Sequence, residues 1–271
     1  MTDHNFDLEA YLARIGYDGP RVPTLETLTH VHERHAQTIP FENLDVVLGR
    51  PIPLDLPSLE QKLIHARRGG YCFEQNSLFA AALRTLGFTV APMLARVRWS
   101  VPAGVTTPQT HMALRVEVDG RPWLADAGFG GNGLMAPLAL DTTEVQLTCH
   151  EPRRLVPHGR NVLQQIQIAG TWTDVYVLYL DEAFPIDFEV ANWFTSAHPA
   201  SRFRQNLMAA RAEGGLRFAL LNRDLTIRRI DGTAEKRTLA SHDELLETLV
   251  TRFGLVLPAD TRFACAGLIW D

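Results

Sequence analysis

Apolar and polar positions follow one rhythm in the first third of the chain and another in the middle. Phe6, Leu8, Tyr11, Leu12 and Ile15 form a helical stripe that Gly16 and the Gly19-Pro20 pair end. Thr24 is placed to cap a second helix with Leu25, Leu28 and Val31 on one face. Pro40-Phe41-Glu42-Asn43 breaks the pattern and opens a proline-rich loop through Pro51, Pro53 and Pro57. Ser58 with Gln61 reads as a capping box for a third helix running to Arg67 and Arg68. After Gly69-Gly70, a helix is expected over 72–86. Phe79, Ala82, Leu83 and Leu86 lie at helical spacing, and Gly87 stands at the position after the C-cap.

Beyond Gly87 the period changes to two. Phe88 to Trp99 reads as a strand in which Pro92 marks an edge or a bulge. His111 to Val118 alternates strictly. Asp119-Gly120 is a strong two-residue turn, and Arg121 to Ala127 returns as the second strand. Further strands are expected at Glu144–Cys149, Val162–Ile168 and Trp172–Leu180. Pro185–Phe203 reads as irregular or short-helical, and Phe218–Ile230 as a hairpin around Asn222-Arg223-Asp224. Ser241 and Glu244 form a capping box opening a last helix that ends at Gly254. The pattern divides the chain into a helical part (1–87), an antiparallel β meander or barrel (88–190) and a mixed α/β part (191–271), an α+β class.

Composition narrows the setting. The 271 residues are 46% hydrophobic and 21% charged, ordinary globular values. With a net charge of −5 and no basic block, nucleic acid is not an expected partner. No run of eighteen or more apolar residues predicts a membrane span. The polar start Met1-Thr2-Asp3-His4-Asn5-Phe6-Asp7 lacks the pattern of a signal peptide. Three cysteines, Cys72, Cys149 and Cys265, are odd in number and far apart. They fit free thiols in a reducing cytoplasm.

The candidate chemistry starts at Cys72. A cysteine in the first turn of a helix meets unpaired backbone N–H groups and the helix dipole, which favour a thiolate. The other reading of such a residue is a small buried core side chain. The hairpin favours the first. With Asp119-Gly120 as its loop, Ala113 faces Asp126, and His111 and Asp126 become diagonal neighbours on one face. They then lie roughly 7–8 Å apart at the backbone, within side-chain reach. An imidazole can take the proton of a thiol, and a carboxylate fixes the tautomer of that imidazole. Backbone N–H groups near Cys72 and Phe73 are candidates for an oxyanion hole. The glycines of Asp126-Ala127-Gly128-Phe129-Gly130-Gly131-Asn132-Gly133 let backbone approach a ligand closely. The stretch is neither a Walker loop nor a dinucleotide fingerprint. A Cys…His…Asp order also permits a thiol hydrolase, a transglutaminase-like activity or an inert cysteine in a binding protein.

His30, His32 and His35 crowd one helix around Glu33 without His-Glu-x-x-His spacing. They read as a solvated face and no metal site is expected. Cys149-His150 reads as incidental and Cys265 as a packed residue. Arg202, Arg204 and Arg211 flank Phe203 on a possible helix and read as a charged face.

Three stretches together resemble the arylamine N-acetyltransferase family: Arg68-Gly69-Gly70-Tyr71-Cys72-Phe73-Glu74-Gln75-Asn76, Thr110-His111-Met112-Ala113-Leu114, and Asp126-Ala127-Gly128-Phe129-Gly130-Gly131. Ile39-Pro40-Phe41-Glu42-Asn43 is similar to a further segment of that family. The resemblance implies a helical bundle, a β-barrel and an α/β lid, related to the transglutaminase-like cysteine enzymes. It implies acetyl-CoA as donor, an acetyl thioester on Cys72, and arylamines, arylhydrazines or N-hydroxyarylamines as acceptors in a ping-pong order, with no metal. His111 would act as base and then acid, with Asp126 as its orienter. Phe41, Phe129 and Phe203 match positions lining the acceptor pocket. Gly128, Phe129, Gly130 and Gly131 would lie beside the CoA arm. Arg68, Glu74 and Asn76 would have structural hydrogen-bonding roles. An amide synthase with the same triad and another acyl donor is the neighbouring alternative. The chain is expected to act as a monomer or homodimer.

Overall fold

The computed structural model describes residues 5–270. The polar start at Met1–His4 lies outside the described residues. The helices are α1 (Leu8–Ile15), α2 (Leu25–Thr38), α3 (Leu44–Val47), α4 (Leu56–Leu59), α5 (Cys72–Thr85), α6 (Pro185–Ala197), α7 (Arg202–Gln205) and α8 (His242–Thr251). A π-helical turn at Glu60–His65 continues α4. The strands are β1 (Phe41–Glu42), β2 (Thr89–Val97), β3 (Gln109–Val118), β4 (Arg121–Ala125), β5 (Leu138–Ala139), β6 (Arg153–His158), β7 (Asn161–Ile168), β8 (Thr171–Leu178), β9 (Met208–Glu213), β10 (Leu216–Leu221), β11 (Asp224–Arg229) and β12 (Ala234–Thr238).

Local chemistry sets most of the ends. Asp7, Thr24 and Ser241 cap α1, α2 and α8 by accepting backbone N–H groups of their first turns. Gly87 follows the C-cap of α5 at φ +93°, and its N–H returns to Arg84 O at 3.0 Å. Asp119 and Gly120, at φ 51° and 75°, make the tight turn whose twist matches a hairpin. Pro92 lies where β2 pairs with β3 alone, before a register shift at Ala95/Arg96, so the missing N–H interrupts no second ladder.

Seven strands curl in the order β5-β4-β3-β2-β8-β7-β6. Gln146 nearly closes this sheet into a barrel. Its backbone bridges Arg153 of β6, while its side-chain amide exchanges hydrogen bonds with Ala139 of β5. The second sheet runs β1-β9-β10-β11-β12 and takes its edge from residues 41–42. The class is α+β, as the residue pattern predicts. One apolar cluster joins α1, α2 and α5 to β3, a second fills the barrel, and a third lies between the second sheet and α8. α5 packs directly on β3 and β2.

Several expectations are corrected. The helix after the proline-rich loop is capped by Asp55, which accepts from Ser58, so it starts earlier than Ser58. That loop also contains β1 and α3. Glu144–Cys149 forms only the single bridge at Gln146, because the segment serves as a seam between two strand edges. Pro185–Phe203 contains a 13-residue helix, α6, whose apolar residues occupy two opposite faces and so give no amphipathic period. Arg211 lies on β9, where it donates to Gln37 O, and shares no helix with Arg202 and Arg204. His32 and His35 are fully buried, each ring packed against Phe79. Their helix face meets α5 instead of solvent.

Candidate active site

Cys72 opens α5 because the preceding turn can press against its neighbours. A Cβ on Gly69 would stand 2.0 Å from Pro40 O, and one on Gly70 2.7 Å from a Glu74 carboxylate oxygen. The left-handed residue of the turn is Arg67, at φ 52°, so these two glycines serve close approach. Glu74 closes the start of the helix by accepting the Tyr71 N–H at 3.0 Å. Gln75 donates to Pro40 O and Gly70 O and accepts from His35 Nε2 at 2.7 Å. Cys72 is buried, with its sulfur 3.7 Å from Thr110 O.

The hairpin brings the other two groups. Val118 pairs with Arg121 and Leu114 with Ala125, the register that the Asp119-Gly120 turn predicts. His111 Nε2 and Asp126 Oδ2 are 2.7 Å apart, both residues buried. Asn76 lies one helical turn beyond Cys72 on the same face of α5. Its amide nitrogen donates to Asp126 Oδ1 at 2.9 Å and to Met112 O at 2.7 Å, and its oxygen accepts the Ala127 N–H at 3.0 Å. One helix face thus carries the thiol and the group that clamps the hairpin. The Gly128 N–H also donates to Asp126 Oδ1 at 2.9 Å. A Cβ on Gly128 would stand 2.6 Å from Cys72 Cα, so only glycine lets the loop pass there.

The electrostatics favour an ion pair at these groups. Burial alone raises the Asp126 carboxyl, but the His111 charge and the donors from His111, Asn76 and Gly128 hold it below the usual range. Burial alone lowers His111, yet Asp126 outweighs it, with the nearby Cys72 adding, and the imidazole is raised well above its ordinary value.

Rings line the surroundings. Phe129 and Tyr176 pack on His111 at centroid distances of 5.1 and 4.9 Å. Phe203 contacts Phe41 at 6.1 Å and Tyr71 at 5.6 Å. Phe41, Phe129 and Phe203 are all half-buried. Gly130 lies against the Phe41 ring, so the Gly128–Gly131 loop passes between Cys72 and that aromatic wall. Tyr176 escapes a reading of the sequence. Its strand is visible, but only the placing of β8 beside β2, one strand from β3, turns that side chain toward His111 and Asp126.

Two buried ionic clusters flank the site. Behind α5, Lys62 bridges Asp45 at 2.8 Å and Glu74 at 2.6 Å, and Arg68 pairs with Glu42 at 2.7 Å. Beneath the glycine loop, Glu151 meets Arg217 at 2.7 Å and Arg228 at 2.9 Å, with Arg153 at 3.6 Å. Arg153 and Arg217 both donate to Gly133 O at 3.0 Å, holding the end of the loop from inside. Among the described residues no group of three or more His, Cys, Asp or Glu is arranged to hold a metal. No helix among them is long and apolar enough to cross a membrane.

A buried thiol at a helix start, beside a hydrogen-bonded imidazole–carboxylate pair, is the arrangement of a thiol-dependent acyl-transfer enzyme. The N-acetyltransferase family model matches residues 24–262. An arylamine N-acetyltransferase of Mycobacterium tuberculosis is 42% identical over 253 residues, covering 92% of this chain and 89% of that protein. The arylamine N-acetyltransferase / N-hydroxyarylamine O-acetyltransferase of Salmonella typhimurium is 40% identical over 250 residues, covering 92% and 88%. The structure of Mycobacterium marinum arylamine N-acetyltransferase in complex with CoA superposes with a TM-score of 0.89 at 40% identity, covering 92% of this chain and 93% of the other. The chain belongs to the arylamine N-acetyltransferase family.

Proposed function

We propose that this protein transfers the acetyl group of acetyl-CoA to arylamines, arylhydrazines or N-hydroxyarylamines through a thioester on Cys72. The observation that carries the reading is the 2.7 Å His111–Asp126 bond beside a cysteine at the first turn of α5. With Nε2 held by Asp126, His111 Nδ1 takes the Cys72 proton. The sulfur attacks the acetyl carbonyl, and the C–S bond to CoA breaks. The CoA thiolate leaves as the free thiol with the proton from His111. An arylamine nitrogen then attacks the Cys72 thioester, His111 accepts the nitrogen's proton, and the Cys72 sulfur departs. The step order is ping-pong, because the donor product leaves before the acceptor reacts.

Phe41, Phe129 and Phe203 are assigned to the acceptor. A flat arylamine, neutral at pH 7, buries against such rings without a counter-charge. Gly128, Phe129, Gly130 and Gly131 are assigned to the CoA arm. The absence of room for a Cβ at Gly128, beside Cys72, supports that placement. The functional division is a nucleophile-bearing part at 1–87, a barrel with His111 and Asp126 at 88–190 and a lid at 191–271. The three free cysteines support a cytoplasmic setting.

The test is the mass of the intact protein after brief mixing with acetyl-CoA. One acetyl adduct, absent from Cys72→Ala and lost on adding an arylamine, is the expected result. No adduct on the wild type would overturn the reading.

A further inference from the structure

Asn43 spends its side chain on a segment 160 positions away. An asparagine at a helix N-cap ordinarily accepts a backbone N–H of its own first turn. Asn43 stands at the N-cap of α3 and makes no such bond. The Leu44 N–H goes to the Glu42 carboxylate at 2.6 Å instead. The Asn43 amide nitrogen donates to Phe203 O at 2.7 Å and to Asn206 O at 2.8 Å. Its oxygen accepts the Met208 N–H at 2.7 Å. The Asn43 N–H adds a fourth link, to Met208 O at 3.2 Å. Asn43 is 2% exposed, so water does not replace these bonds cheaply.

The distant segment needs this partner. α7 is only four residues long. In a longer helix Phe203 O would accept from the N–H four residues on, that of Leu207. Here the Leu207 N–H is taken by Asn222 Oδ1 at 2.9 Å, and Phe203 O turns to Asn43. On the other side, Ser201 Oγ accepts the Phe203 N–H at 3.2 Å and donates to Thr195 O of α6. The backbone of Phe203 is thus pinned twice, by Ser201 and by Asn43. Phe41 stands two residues before Asn43 and is held separately, by the pairing of β1 with Ala209 and Ala210 of β9. The two rings meet at 6.1 Å with 64° between their planes. One buried amide therefore sets where the Phe203 ring stands against the Phe41 ring.

We propose, resting on the acetyl-transfer reading, that Asn43 is a positioning residue for the acceptor. It fixes the Phe203 wall against Phe41, sets how tightly a flat aromatic amine is held, and takes no part in the acetylation of Cys72. Contact with a ring falls off steeply with separation, so a small drift of α7 weakens the hold on an aromatic acceptor. A nucleophile without a ring is indifferent to that drift.

Separating the two half-reactions tests it. Asn43→Ser is too short to reach Phe203 O. Asn43→Asp keeps the shape and the acceptor for Met208 but loses both donors, and it serves where the serine variant fails to fold. Either variant should take one acetyl group from acetyl-CoA at the wild-type rate, read by intact-protein mass. The acetylated variant should need about tenfold more 4-chloroaniline for half-maximal deacetylation, with the maximal rate within about twofold of wild type. Hydroxylamine should deacetylate variant and wild type alike. In a Phe203→Leu background, Asn43→Ser should add nothing further to the arylamine requirement. An unchanged arylamine requirement, an equal loss toward hydroxylamine, or effects that add to those of Phe203→Leu would overturn the proposal. A wild type that takes no acetyl group would overturn the acetyl-transfer reading, and the role of Asn43 with it.

Discussion

The two ionic clusters beside Cys72 are both buried, yet they are built with opposite balance. Behind α5, Glu42, Asp45 and Glu74 share Lys62 and Arg68, and the exposed Arg50 reaches Asp45 from outside, so the buried groups carry an excess of acid. Beneath the glycine loop, Arg153, Arg217 and Arg228 share Glu151, an excess of base. The difference shows how burial is tolerated. The acidic side relieves its surplus by protonation: burial and Glu42 push the Glu74 carboxyl up to about 7 against the pull of Lys62. The basic side spends its surplus donors on carbonyls. Arg153 donates to Asn132 O and Gly133 O, and Arg217 to Gly133 O. One cluster tunes a proton, and the other braces a loop.

The sharpest way to break the contrast is Glu151→Gln, which leaves three guanidinium groups without their shared counter-charge. A loss of about 3–5 kcal/mol is expected in urea unfolding. Arg68→Met should cost less, about 3 kcal/mol, because Lys62 still balances part of the acid it leaves behind. Equal losses would mean that the opposite charge balance of the two clusters has no energetic consequence.

Glu74→Gln should cost only about 1 kcal/mol near pH 7, since an amide oxygen can still accept the Tyr71 N–H. Its larger effect is on pH dependence. Glu74 binds its proton more tightly in the folded chain, at about 7, than at the ordinary 4.5. Its contribution to stability is therefore full at low pH and lost as pH rises through about 7. The variant should show a flatter stability profile between those values. A profile parallel to the wild type would remove the proton from the acidic cluster.

Neutral burial gives the smallest expected effect and a baseline for both clusters. Burial lowers His32 to about 4, so the unfolded chain takes up a proton first as pH falls below 6.5. Native stability is lost over that interval, and His32→Leu should reduce the acid sensitivity by about 1 kcal/mol in denaturant titrations at pH 6. His35, lowered by burial to about 3, should keep the remainder.

Much of this was legible from local chemistry. The Asp119-Gly120 turn sets a register in which His111 and Asp126 share a face, and alternation does the rest. The caps at Thr24 and Ser241 and the glycine after α5 place helix ends within a residue or two. Legibility failed where an element's surroundings come from far along the chain. His32 and His35 look solvated because the α5 face that buries them is some forty positions away. α6 looks irregular because its apolar residues fall on two opposite faces, only one of which is packed.

The sequence by itself determined the α+β order of helices and strands, the position of Cys72 at a helix start and the pairing of His111 with Asp126. These follow from periods of 3.6 and 2 and from turn geometry, which act over a few residues. Only the tertiary structure decided that Asn76 clamps the hairpin to α5, that Tyr176 backs His111, and that Arg217 reaches Glu151 across 66 positions. Burial of a polar group is settled by the partner it meets, and that partner is chosen by packing between distant segments.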